Sequence, residues 1–219
     1  MRVIRSRVSI GAMDRESLMR LAFDLARGNG LNPAAAQAAA AIGWFESYYG
    51  TRKPFLLPDG RPSWNWGATT ARAGIPSFGG GDKDASGNPI TQRWARWDSM
   101  AEGFDYWVQG FGSVRAALPF FAAGDAIAGA AQLYDRGYFT GVEGTREDRI
   151  RAYARAIVDT AAQVAAATGT PLLLTRDQPV PPRATGPAPA YQAPRGAGLG
   201  PVGIAFGVGA LYLAWKVTR

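Results

Sequence analysis

Cysteine and histidine are both absent from the 219 residues. Thiol nucleophiles, Ser-His and Cys-His dyads, thiolate zinc sites and imidazole ligands are thereby excluded together. Acid and base chemistry falls to carboxylates, tyrosine or lysine, and no metal or cofactor is expected. Without thiols, folding does not depend on the redox compartment. No apolar run of about 7 to 15 residues follows the three Arg of MRVIRSRVSI, so no cleavable secretory signal is expected in this sequence. Internal repeats are missing, as is any G-x-x-x-x-G-K-S/T phosphate loop. The formal charge of +7 suits a polyanionic setting. Its Arg residues do not cluster with interleaved aromatics, however, so nucleic acid is not expected as a partner.

Hydrophobic residues make up 47% of the chain, with 7 Trp, 8 Tyr and 10 Phe, enough to furnish both a core and a binding groove. The length suits one sizeable domain. Leu18, Leu21, Ala22 and Leu25 recur at helical spacing between a capping Asp14 and a terminating Gly28. Asn32-Pro33 opens a second helix that runs through an alanine tract to Gly50. Residues 51–93 are rich in Gly, Pro, Asp and Ser, and read as a long functional loop with room for a small hairpin. Ser99 and Glu102 suit a capping box ahead of Phe104, Trp107, Val108 and Phe111, and further helices are expected over 125–136 and 146–168.

The expected class is therefore mainly α, with residues 1–170 forming the domain. Residues 171–195 hold seven Pro and read as an extended linker. Residues 196–215, GAGLGPVGIAFGVGALYLAW, carry no charge. At a rise of 1.5 Å per residue they reach about 30 Å, the thickness of a bilayer core, so a transmembrane helix and a lipid partner are expected, followed by a basic tail over 216–219. Gly203 and Gly207 form a G-x-x-x-G pair suited to self-association of such helices.

Glu46 stands out within AAAAIGWFESYYG. A carboxyl on the last turn of a helix among Trp44, Phe45, Tyr48 and Tyr49 loses hydration, which raises its pKa toward that of a general acid. The loop that begins at once after Gly50 gives a place for a groove.

FESYYG resembles the glutamate-bearing helix end of glucosaminidase-type peptidoglycan hydrolases in the lysozyme superfamily, and three later stretches are similar in the same order. These are WNWG at 64–67, WDSMAEGFDYW at 97–107, and GYFTG at 137–141 followed by Tyr153, Ala154 and Ile157. The resemblance implies a lysozyme-like fold, the glycan strand of peptidoglycan as substrate, Glu46 as catalytic acid and Tyr138 lining the reaction centre. Departures are Tyr48-Tyr49 where Gly-Trp is usual, Asn65 in place of an apolar residue, and Gly141 in place of Asp.

Glycoside cleavage ordinarily uses a second carboxylate. Asp82 and Asp84 in GGGDKDASG are the leading candidates, Asp59 a weaker one, while Glu102 and Asp98 fit helix-capping tasks. Of the aromatics suited to stacking on sugar, Trp64, Trp66, Trp94 and Trp97, the two in the matched stretches, Trp66 and Trp97, are placed nearest the groove, together with Tyr49. A lytic transglycosylase working with one Glu and a non-catalytic wall-binding module are the competing readings. A wall-cleaving domain with a tail anchor suits the virion membrane of a bacteriophage, or else the bacterial envelope.

Overall fold

The computed structural model describes residues 13–83, 88–139 and 144–183. Six helices and one hairpin follow in order: α1 (Arg15–Gly28), α2 (Pro33–Ser47), β1 (Ser77–Lys83), β2 (Pro89–Ala95), α3 (Met100–Gly110), α4 (Gly112–Ala122), α5 (Ala126–Asp135) and α6 (Arg146–Thr168). A single 3-10 turn, Tyr48–Gly50, continues α2.

The alanine tract makes α2 the central helix. Its residues from Ala34 to Trp44 are all buried, and α1, α4 and α6 pack around it. A helix covered on every side admits only small side chains where neighbouring backbones come close, and alanine also has the highest helix propensity. Asn32 Oδ1 accepts from the Ala35 N–H at 2.9 Å, and Pro33 occupies the first turn, where its missing N–H costs nothing. On α1 the buried face is Leu18, Met19, Ala22, Phe23 and Ala26. Leu21, expected on that stripe, is instead 43% exposed.

Where the sequence left a long loop or a small hairpin open, a hairpin is present. β1 and β2 are antiparallel with Phe78 opposite Trp94 and Asp82 opposite Ile90. Its base carries Phe78 and Trp94 into a second small core with Phe55, Leu57 and Ala68. Five helix N-termini are capped by side chains, those of Asp14, Asn32, Ser99, Asp125 and Thr145. α4, which the sequence pattern did not announce, begins without a side-chain cap and holds Pro119 inside it.

The Pro-rich segment expected as an extended linker is extended through residue 183, but it lies against the domain. Gln37 donates to Pro171 O at 2.7 Å and accepts from the Leu173 N–H at 2.9 Å, Leu174 is buried, and Arg146 donates to Pro181 O at 3.1 Å. The rest of the linker and the expected span 196–215 lie outside the described residues. Among the described residues no helix is long and apolar enough to cross a membrane.

Candidate active site

Glu46 sits on the last turn of α2, one residue before the helix ends. There the chain turns sharply: Tyr48 and Tyr49 both adopt left-handed backbone, at φ 52° and 55°. For side-chain-bearing residues this costs about 1 to 2 kcal/mol each, a strain that glycine, usual at the first of these positions in the resembled family, would not carry. Glu46 is half-buried. Tyr153, on α6, donates its hydroxyl to Glu46 Oε1 at 2.5 Å. The Tyr153 ring is fixed in turn, with Phe139 stacked on it at 3.8 Å and Phe45 edge-on at 5.2 Å.

The electrostatics follow from this enclosure. Burial pushes the Glu46 carboxyl up to about 7, while the Tyr153 hydrogen bond pulls in the opposite direction by favouring the ionised form. Burial, and the nearby Glu46 charge, drive the Tyr153 and Tyr138 hydroxyls well above the ordinary tyrosine value. Both therefore remain protonated at neutral pH. Glu46 alone is poised to gain and lose a proton there, which is what a general acid requires.

The loop at 64–69 is tied to the same helix end. Ser47, next to Glu46, donates its hydroxyl to Asn65 O and accepts from the Gly67 N–H at 3.3 Å. Asn65 is fully buried and satisfied: its amide donates to Thr69 O at 2.8 Å and Ala95 O at 3.1 Å, and its oxygen accepts from Thr69 N at 2.7 Å. The polar residue that departs from the family pattern thus pins the 64–69 loop to the end of the hairpin. Gly67 has φ 80°, and a Cβ there would lie 2.5 Å from Trp107 Nε1 and 2.6 Å from Tyr138 Oη. Only glycine lets that loop close over the two side chains, which are themselves joined by a 2.7 Å bond from Trp107 Nε1 to Tyr138 Oη.

The chain matches no family model and no curated protein. Among solved structures it is similar to the glycoside hydrolase domain of FlgJ from Salmonella typhimurium, at 20% identity over 72% of this chain and 92% of that one, with a TM-score of 0.47. A peptidoglycan hydrolase from Sphingomonas sp. A1 gives 19% identity over 71% and 94%, with a TM-score of 0.49. The catalytic domain of the autolysin Auto from Listeria monocytogenes gives 17% identity over 71% and 84%, with a TM-score of 0.43.

Of the residues singled out in the sequence, Glu46 and Tyr138 come together, close enough for the Glu46 charge to act on the Tyr138 hydroxyl. Tyr49 and Trp66 require correction. Both have no exposed surface, the Tyr49 hydroxyl donates to Ala40 O at 2.7 Å, and the two rings pack at 4.8 Å. They are core, and no sugar reaches them. Trp64 and Trp94 are buried too. Trp97 is half-buried against Tyr106 at 5.1 Å and keeps a face to solvent.

Asp82 lies on β1 four residues beyond Phe78, about 13 Å toward the far end of the hairpin at the usual strand rise, and it has no part in the Glu46 shift. Asp84 lies outside the described residues. Asp59 is engaged by Arg61 at 2.7 Å on the surface. Glu102 accepts from the Asp98 N–H at 3.0 Å, one residue before the Ser99 N–H that the expected capping box would engage, while Ser99 accepts from the Glu102 N–H. Among the described residues no group of His, Cys, Asp and Glu is placed to hold a metal. The role that the sequence did not disclose is that of Tyr153. It stands there only among the closing-helix residues of the resemblance, and nothing local to it signals the carboxylate it meets.

Proposed function

We propose that this domain cleaves the glycan strand of bacterial peptidoglycan, with Glu46 as the proton donor. The observation that carries the reading is a half-buried helix-end carboxyl brought to a pKa of about 7 and held by Tyr153. The substrate is supported by the four ordered stretches of family resemblance, whose residues Glu46, Ser47, Gly67, Trp107 and Tyr138 converge on one site.

Protonated Glu46 passes its proton to the glycosidic oxygen as the bond from that oxygen to the anomeric carbon breaks. The carboxylate left behind accepts the Tyr153 hydrogen bond, and positive charge develops on the sugar ring. The step is completed by the substrate's own acetamido oxygen, which closes on the anomeric carbon. Water then reopens that ring, giving up a proton to the Glu46 carboxylate, in a glucosaminidase. In a lytic transglycosylase the 6-hydroxyl of muramic acid takes the place of water.

Digestion of purified peptidoglycan with analysis of the new ends tests both. Reducing-end N-acetylglucosamine supports the glucosaminidase, and 1,6-anhydromuramic ends support the transglycosylase. Wall binding with neither product would leave a non-catalytic wall-binding module.

We further propose that residues 196–215 anchor the domain in a membrane, either that of a phage virion or the bacterial envelope. Support comes from the uncharged length of that segment alone. Extraction of the full chain from membranes by alkaline carbonate would contradict the anchor.

A further inference from the structure

Beside the acid, on the other flank of α2's last turn, lies a surface pocket of about 320 Å³ that the chemistry above does not use. Arg15, Trp44, Phe45, Tyr48 and Arg52 line one side of it, and Thr160 and Gln163 of α6 close the other. The two guanidinium groups converge on one indole: Arg15 Cζ lies 5.5 Å and Arg52 Cζ 5.1 Å from the Trp44 ring centre, and Arg52 is also 5.3 Å from that of Tyr48. Tyr48 stands edge-on to Trp44 at 5.2 Å, held there by its left-handed backbone.

Among the described residues no carboxylate meets Arg15 or Arg52. The nearest acids in sequence are occupied elsewhere, Asp14 in capping α1 through Ser17 N at 2.7 Å and Glu16 with Arg20 at 3.8 Å. Two like charges held against one indole repel each other until an anion joins them. The left-handed backbone of Tyr48 that ends α2 sets its ring at the edge of the pocket.

The pocket also has a fixed relation to the acid. Phe45 lines it and packs on Tyr153, the partner of Glu46. Thr160 lies two helical turns beyond Tyr153 on the same face of α6, about 10 Å along the axis. A polymer with its scissile bond at Glu46 would bring a substituent on a neighbouring sugar to the guanidinium pair. In peptidoglycan those substituents are peptides bearing free carboxylates, which arginine recognises through planar, charge-assisted hydrogen bonds.

We propose that Arg15 and Arg52, stacked on Trp44 and Tyr48, form a subsite for a carboxylate of the peptide carried by the glycan strand. This deepens the reading of the same cleft and rests on it. The test uses the full chain carrying Glu46→Gln, so that binding is read without turnover. Two soluble disaccharide-peptides, one with free carboxylates and one with the same carboxylates amidated, are titrated by calorimetry and by Trp fluorescence.

The free-carboxylate ligand is expected to bind about tenfold tighter or better, with a preference that declines as salt is raised. Adding Arg15→Gln and Arg52→Gln should abolish the preference. Arg52→Lys, which keeps charge without the planar stack, should give an intermediate value. Both arginines are exposed, so the fold does not depend on them. Equal binding of the two ligands, binding of neither, or a preference that survives the double substitution would overturn the subsite. If the wild-type chain releases no sugar ends from peptidoglycan while the carboxylate preference persists, glycan cleavage fails and the subsite stands.

Discussion

Tyr153 and Glu46, 107 residues apart in sequence, share a 2.5 Å hydrogen bond in which the phenol donates to Oε1. Tyr153 thereby fixes the direction of the carboxyl and, in the proposed reaction, stabilises the carboxylate that remains after proton transfer. In a Tyr153→Phe variant kcat should fall about 10- to 100-fold, the range expected for one hydrogen bond to a charged group. The same loss removes the contribution that lowers the Glu46 pKa, so the alkaline limb of the pH-rate profile should move to higher pH. A purely structural tyrosine would leave that limb in place.

The titration of Glu46 links activity to stability. Its folded-state value, about 7, lies above the ordinary carboxyl value of 4.5. Between those values the folded chain holds the proton more tightly than the unfolded chain. The neutral carboxyl's contribution is full below about 4.5 and is lost as pH rises through about 7. Ionising Glu46 should therefore cost up to about 3 kcal/mol by pH 8. Glu46→Gln, which cannot ionise, should raise the melting temperature at pH 8 and leave it nearly unchanged at pH 4. Equal melting shifts at both pH values would contradict a buried, titrating acid.

Tyr138 accepts the Trp107 indole N–H at 2.7 Å inside the domain. Tyr138→Phe leaves that buried donor without its acceptor, so it should destabilise the fold by about 1 to 3 kcal/mol as well as lower activity. Denaturant melts compared with turnover at a temperature well below the transition separate the two effects.

A second buried tie lies where α5 meets α6. Arg146 grips Asp135 with bonds of 2.8 and 2.7 Å, and the Asp135 side chain is only 2% exposed. Arg146→Ala would remove both of these bonds from a buried carboxylate and free Pro181 O from its donor. A loss of about 3 kcal/mol is expected, read as a lower denaturation midpoint.

Much of the helical frame was legible because its ends are written in local chemistry. Asp14, Asn32-Pro33 and Ser99 cap α1, α2 and α3 where their types and positions indicated. α4 was hidden because Phe111 offers no capping oxygen and Pro119 reads as a breaker. β1 was hidden by its glycines, yet Gly80 has a packing reason, since a Cβ there would lie 2.6 Å from the Trp94 ring. Leu21 was misplaced because Met19 and Phe23 draw the buried face of α1 around the helix.

The site was legible in part for a similar reason. Glu46 advertises itself through its neighbours, whereas the same aromatic richness cannot tell core from groove, and Tyr49 and Trp66 proved to be core. Tyr153 and the Arg15-Arg52 pair depend on α6 and α1 being brought against the end of α2, a tertiary fact with no local signature.

In the proposed reaction Glu46 delivers the proton to the leaving sugar. Release of new sugar ends from purified peptidoglycan, measured for wild type and for Glu46→Gln in the pH range below 7, tests it most directly. The Gln side chain keeps size and polarity and still accepts from Tyr153, but it has no proton to give. A loss of about 10²- to 10⁴-fold or more is expected. A Glu46→Gln chain that is folded and cleaves at near the wild-type rate would contradict it.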